Sequence, residues 1–419
     1  MSYSQGEALG SGFAVQQAPQ SVFPAPTGPQ ALFNHYGSDA CLFASPGQTL
    51  LAHGVAACLP EGDADNLAGR AALFLRQASQ AGHAGLLIGA IPFLPDAAPH
   101  LFVPEHFELA GSVRSLMSPG GGGSKVALQR VPALSLPCPQ AYEQNVRDAL
   151  SRIASGELQK VVLSRSLRID AELALPALLR GLASRNPRGY TYAIPLPDAG
   201  DERRSLVGAS PELLLARRGS QVLSNPLAGS IPRSSDPDED ARRAEGLLRS
   251  AKDLHEHALV VDAVAEALRP FCRDLVVPRI PSLVSTPTMW HLSSEVKGEL
   301  IDLSTTSLQL ALALHPTPAV CGYPTADARE FIQRAEGFDR GFFTGLVGWC
   351  NALGDGEWAV TIRCAEVGET SATLYAGAGI VAGSDPALEL AETAAKLRTM
   401  LGAMGLDSSD LDARPERLS

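Results

Sequence analysis

The chain has 419 residues, 45% of them hydrophobic, and a formal net charge of −11. An acidic chain with no block of basic residues lacks the positive footprint that phosphate backbones require, so no nucleic-acid partner is expected. No run reaches the ~18 consecutive apolar residues of a membrane span, so no membrane partner is expected either. The first twenty residues lack a basic start followed by an apolar stretch, and the seven cysteines are scattered without a C-x-x-C. Both point to free thiols in a reducing cytoplasm.

Residues 1–30 are rich in Ser, Gln, Pro and Gly, and loose order is expected there. Strand-like runs follow at 49–56 and 84–93, around a helix predicted over 65–80. Ser118-Pro-Gly-Gly-Gly-Gly-Ser124 reads as a surface loop and not as a phosphate cradle, since Gly123 is followed by Ser124 and Lys125. Residues 140–154 have helical apolar spacing, and Gly156 suits the helix end. Alternation predicts a strand over 159–169 and further strands near 190–195, 205–207, 213–217 and 221–224. Two helices are predicted within 236–268. Strands near 283–285, 358–367 and 373–381 lead to a last helix over 386–404. Hairpin-spaced strands with inserted helices predict an α+β fold on antiparallel sheet. A single catalytic domain over 31–408 is expected, with a tail at 409–419.

The helix around SAKDLHEHALVVDAVAEAL puts Glu256 at the head of an apolar stripe, with Asp253 three residues earlier on the same face. A carboxylate so placed needs a cation, a metal or a donor cluster. The last helix repeats the pattern, with Asp385 as N-cap and Glu389, Glu392 and Lys396 along one side. Two helices that each present two acids could meet around a hard divalent cation such as magnesium. Acids crowded in that way would repel, so removing one should relieve strain. Glu392–Lys396 alone is equally readable as an i,i+4 surface salt bridge. His255 and His257 cannot chelate one ion together, because residues two apart on a helix diverge.

Lys160 opens the strand KVVLSRS, where a buried lysine must be paired or held neutral. A neutral amine suits general-base work, and a snorkelling structural lysine is the alternative. Arg363 lies within VTIRC, read as strand, and can grip a carboxylate bidentately. Ala376-Gly-Ala-Gly-Ile380 could let backbone N–H groups approach an anion, or could simply be a turn or bulge. Glu212, after Ser210-Pro211, reads as a general acid at a strand end or as an ordinary turn acid.

Taken in order, ten segments resemble the chorismate-utilising enzymes, that is, the isochorismate, anthranilate, aminodeoxychorismate and salicylate synthases. They are KVVLSR from Lys160, GASPELLL from Gly208, PLAGS from Pro226, KDLHEH from Lys252, TPTMWHL from Thr286, HPTPAVCGYP from His315, FDRGFFTGLVGW from Phe338, TIRCA from Thr361, AGAGIV from Ala376 and ELAETAAKL from Glu389. The likeness runs from about Ala141 to Leu406. It implies a large two-layer, mainly antiparallel sheet core flanked by helices, with the active site between the sheets. It further implies that Glu256 and Glu392 hold Mg²⁺, supported by Asp253 and Glu389, and that the metal takes the ring carboxylate of chorismate. Arg363 and the backbone of Gly377, Ala378 and Gly379 would hold the pyruvyl carboxylate, assisted by Lys396 and Gly229. His291, Ala319, Val320, Phe343 and Ile362 would line the pocket.

Members that use water carry lysine at the position of Lys160, whereas ammonia-using members carry glutamine. No amidotransferase subunit is therefore implied, and a monomer or a weak dimer is expected. His315-Pro-Thr-Pro-Ala319 and TPTMWHL are most similar to the isochorismate synthases that feed catechol siderophores. The implied chemistry has Lys160 take a proton from water while Glu212 donates one to the departing hydroxyl. A salicylate synthase and a non-catalytic chorismate-binding protein are the alternatives.

Overall fold

The strand predicted from alternation at KVVLSRS spans Lys160–Asp170 in the computed structural model. It is buried on both faces over most of its length, as an inner strand between two layers must be. The structure describes residues 28–37, 39–116, 131–199 and 202–413. The glycine loop at 118–124 and residues 1–27 of the N-terminal segment lie outside the described residues. Within that segment, helix Pro29–His35 begins with Pro29 and buries Leu32 and Phe33.

An eleven-stranded sheet holds Lys160–Asp170 between Val131–Leu136 and Ser371–Ile380. It continues through Cys364–Val367, Glu202–Ser210, Tyr190–Ala199, Ala40–Ala44 and Thr49–His53 to His106–Ala110. The nine-stranded sheet includes Val296–Leu300, Gln221–Asn225, Leu213–Arg218, Gly356–Val360, Leu346–Asn351 and Leu86–Ile91. Pairing is antiparallel except at one edge, where Leu411–Ala413 runs parallel to Val131–Leu136. Those three residues fall in the segment expected as a tail. A third sheet, not anticipated, joins Leu227–Pro232, Met289–Ser293 and Ser282–Ser285.

The two large sheets pack face to face over Phe43, Ile88, Tyr192, Leu206, Val347 and Ala359. Helices Leu175–Arg185 and Pro386–Ala403 cover the outer face of the first, through Leu178, Leu182, Leu397 and Leu401. Helices Leu67–Gln80, Ala251–Leu268 and Ser307–Leu314 cover the second, through Leu75, Val264 and Leu310. The architecture is α+β, as the hairpin spacing predicted. The predicted caps are present too: Asp385 accepts from the N–H groups of Ala387 and Leu388. A cap of this kind contributes roughly 1 kcal/mol.

One predicted strand is two. Residues 358–367 were read as continuous, but Gly356–Val360 belongs to the nine-stranded sheet and Cys364–Val367 to the eleven-stranded one. The chain crosses between them at Thr361-Ile362-Arg363, and Arg363 adopts φ +51°. Arg363 is thus a crossing residue and not a strand residue. An apolar run that crosses between two packed sheets stays buried throughout, so hydropathy gives no sign of the break.

Candidate active site

The same crossing happens once more alongside. Glu202–Ser210 lies in the first sheet and Leu213–Arg218 in the second, with Pro211-Glu212 between them. The two crossings are stitched together: the Ala209 N–H donates to Arg363 O at 3.1 Å, and the Val360 N–H to Glu212 O at 3.1 Å. Each crossing interrupts the regular ladder and turns a side chain into the gap between the sheets. A cleft begins there, enclosing about 620 Å³ of space that includes open solvent.

Glu212 is 3% exposed, and burial pushes its carboxyl from 4.5 up to about 7. The Leu227 N–H, 3.4 Å from Oε1, and the charges of Lys160, Arg363 and Lys396 hold it from going further. Across the cleft Arg363 is also buried, which lowers it to about 10, and its Nε has no partner in the protein. An orphaned guanidinium N–H facing a cavity matches an anionic ligand. His291 lies 3.4 Å from an Arg363 Nη. Burial, with the charges of Arg363 and Lys396, holds its imidazole well below the ordinary range. Arg363 can only donate, so His291 Nε2 is the bare, accepting nitrogen.

Three acids of the two helices, Glu256, Glu389 and Glu392, each meet a lysine. Lys160 Nζ is fully buried and lies 2.9 Å from Glu256 Oε1. Burial alone would raise Glu256, but Lys160 and then Lys396 and Lys252 outweigh it, and the carboxyl falls below its ordinary value. Lys396 pairs with Glu392 at 2.6 Å and also donates to Gly377 O at 2.7 Å. The i,i+4 bridge exists, but it is part-buried along the cleft and not on the open surface. Ser230 donates to Glu392 at 3.0 Å, and Lys252 reaches Glu389 at 2.6 Å.

The four acids of the two helices divide into two pairs. Among the described residues no three His, Cys, Asp or Glu side chains come close enough to hold an ion together. Only Glu256 and Glu392 line the cleft, while Asp253 and Glu389 stand behind them. The donor set still fits a hard cation. Burial raises Asp253 and the negative charges of Glu256 and Glu392 add to it; burial and then Glu392 raise Glu389. That surplus of negative potential is what a dication would offset, with water and a ligand carboxylate completing its shell.

The cleft wall includes Gly229, His291, Ala319, Val320, Phe343, Ile362, Arg363, Gly377, Gly379 and Lys396. Ala378 is absent from that wall, although its strand neighbours Gly377 and Gly379 line it. Gly379 is required for a reason other than anion approach. A Cβ there would stand 2.1 Å from Glu256 Oε1 and 3.0 Å from Lys160 Cε, so the glycine makes room for the ion pair. Ser230, Thr344 and Tyr375 also line the cleft and were missed. Tyr375 could have been found, since it precedes Gly377 and Gly379 at strand period two. The partnership of Lys252 with Glu389 spans 137 residues and leaves no local mark.

A buried acid holding its proton near neutrality, an unsaturated guanidinium and paired lysines around one cleft define an enzyme site for a small anionic substrate. The family model described as chorismate binding enzyme matches residues 124–405, and the chain belongs to that family. It is 54% identical to isochorismate synthase DhbC of Bacillus subtilis over 387 residues, which covers 90% of this chain and 96% of that one. The vibriobactin-specific isochorismate synthase of Vibrio cholerae is 46% identical over 373 residues, 88% of this chain and 92% of its own. The crystal structure of DhbC from Bacillus anthracis superposes with a TM-score of 0.86 at 48% identity, covering 90% of this chain and all of that one.

Proposed function

We propose that the chain is an isochorismate synthase. It would isomerise chorismate by adding water at ring carbon 2 and expelling the carbon 4 hydroxyl, on the way to 2,3-dihydroxybenzoate and catechol siderophores. The observation that carries the reading is Glu212. Hydroxide is a poor leaving group and departs only with a proton, and a carboxyl held at about 7 still has one to give at neutral pH.

The roles divide over the cleft. Glu212 protonates the leaving oxygen. Lys160 takes the proton of the attacking water, for which it must be neutral. Arg363 holds the pyruvyl carboxylate, with Lys396 and the backbone of Gly377 and Gly229 alongside. Mg²⁺, held by Glu256 and Glu392, would supply positive charge for the ring carboxylate. His291 stays neutral and orients Arg363.

The test is product analysis of purified protein with chorismate and Mg²⁺, without ammonia or any partner. Isochorismate alone is expected. Salicylate with pyruvate would make the chain a salicylate synthase, and binding without turnover would make it a chorismate-binding protein.

A further inference from the structure

His257 is 3% exposed, next in sequence to Glu256, and has no part in the chemistry described above. Both ring nitrogens are engaged. Nδ1 lies 3.1 Å from Ala228 O, and Nε2 lies 2.8 Å from Ser294 Oγ. A carbonyl oxygen only accepts, so Nδ1 carries the hydrogen, and bare Nε2 accepts from the Ser294 hydroxyl.

Ala228 and Gly229 form a break in the ladder. Leu227 pairs with Ser293 and Ser230 with His291, and the register shifts between them. Gly229 sits at φ +74°, where an added Cβ would meet Asp253 at 3.0 Å. In a trans peptide the carbonyl and the following N–H point in opposite directions. His257 takes Ala228 O on the helix side, which turns the N–H of the same peptide, that of Gly229, the other way. Gly229 and Ala228 both border the cleft.

We infer that His257 is a positioning residue: by holding Ala228 O it aims the Gly229 N–H at a carboxylate of the bound substrate. The inference rests on the reading of the cleft as a chorismate site. Bulges next to active sites commonly re-aim backbone in this way. The imidazole acts without titrating, through one hydrogen bond of fixed direction.

The amide of Asn superposes on Nδ1 of His and that of Gln on Nε2, so the two substitutions separate the two contacts. His257→Gln should weaken chorismate binding about ten-fold or more, the worth of an aimed hydrogen bond to a charged group, with a smaller change in kcat. His257→Asn should stay within about three-fold of wild type, as should Ser294→Ala. Dissociation constants from calorimetry are read beside product formation, so wild type that binds without making isochorismate overturns the functional reading and leaves this comparison standing. Equal affinity of the Gln and wild-type proteins, or equal loss in Gln and Asn, overturns the inference. Should the Gln protein not fold, nitrogen-15 NMR of the wild-type imidazole decides. An Nδ1–H tautomer at His257, with a Gly229 amide signal that moves on adding chorismate, is the expected result. An Nε2–H tautomer, or a Gly229 signal indifferent to chorismate, overturns it.

Discussion

At the scale of single residues, the cleft holds groups whose functional state is costly to the fold. Glu212 keeps its proton because burial disfavours the carboxylate, and the shift from 4.5 to about 7 corresponds to roughly 3 kcal/mol. A raised folded-state value means that the contribution to stability is complete below the unfolded value of 4.5 and is lost as pH rises through about 7. Glu212→Gln does not titrate. Its melting temperature should exceed that of wild type in alkaline buffer, and the gap should shrink as pH falls below about 5. Turnover should drop ~10²–10⁴-fold with little change in chorismate affinity. The alkaline limb of the wild-type kcat profile should fall near pH 7, since activity needs the acid protonated. Melts and kinetics over one pH series test all of this; parallel melting curves for the two proteins would remove the buried-acid argument. Lys160→Gln is the companion test. It should bind chorismate through Arg363 but make almost no isochorismate, because an amide takes no proton from water. Near-normal product would leave Lys160 as a purely structural partner of Glu256. The sequence made Glu212 visible only through family likeness, since Ser-Pro-Glu is also a common turn.

At the scale of elements, the helices Ala251–Leu268 and Pro386–Ala403 were legible, including the Asp385 cap and the i, i+3 acids. What sequence could not give was the partners of Glu256 and Glu389, because Lys160 and Lys252 arrive from other elements; Lys396 follows Glu392 at i+4. That changes what removing an acid does. Relief of repulsion was expected, yet Glu256 faces a fully buried ammonium 2.9 Å away. Glu256→Gln strands that charge, and breaking a buried pair from one side costs about 3–5 kcal/mol. Asp253 has the opposite balance, since burial raises it and its acidic neighbours add to the effect. Asp253→Asn should therefore keep or raise the urea midpoint, while Glu256→Gln lowers it. Magnesium titration of turnover completes the test: Glu256→Gln and Glu392→Gln should lose the response to Mg²⁺. Full activity of wild type in excess chelator would remove the metal from the proposal.

At the scale of the whole molecule, function depends on where the chain changes sheet. Glu212 and Arg363 are both crossing residues, and no periodicity marks a crossing because burial is continuous through it. Antiparallel sheet and the helices near 65–80, 140–154, 236–268 and 386–404 were readable from periodicity, whereas Leu175–Arg185, Ser307–Leu314 and Thr325–Ala335 were not anticipated. The third sheet, which carries Gly229, Ser230 and His291, was not, because its strands are short and interrupted by a bulge.

One buried pair ties these layers together beneath the cleft. Arg340 is 3% exposed and bonds Glu336 through Nε at 2.8 Å and Nη2 at 2.5 Å. It also donates to Val162 O at 2.8 Å, Val320 O at 2.8 Å and Thr344 Oγ1 at 3.1 Å. Glu336 in turn accepts from the Ser164 N–H at 2.7 Å. Val162, Val320 and Thr344 all border the cleft, so one guanidinium fixes three parts of its wall. The flat fork is also stacked, with its centre 4.6 Å from the Phe93 ring centroid. A lysine keeps the charge but has no fork, so it cannot serve four acceptors in one plane. Arg340→Lys should lose about 3–5 kcal/mol of stability, because buried carbonyls and part of the Glu336 carboxylate go unpaired. Its KM for chorismate should rise as well, since the wall loosens with the core. Glu336→Gln should behave similarly but more mildly, because its amide oxygen can still accept from the Ser164 N–H. Urea midpoints and KM measured on the three proteins decide it. If Arg340→Lys loses stability while KM stays fixed, the pair holds the core alone and the cleft is shaped by the sheet crossings without it.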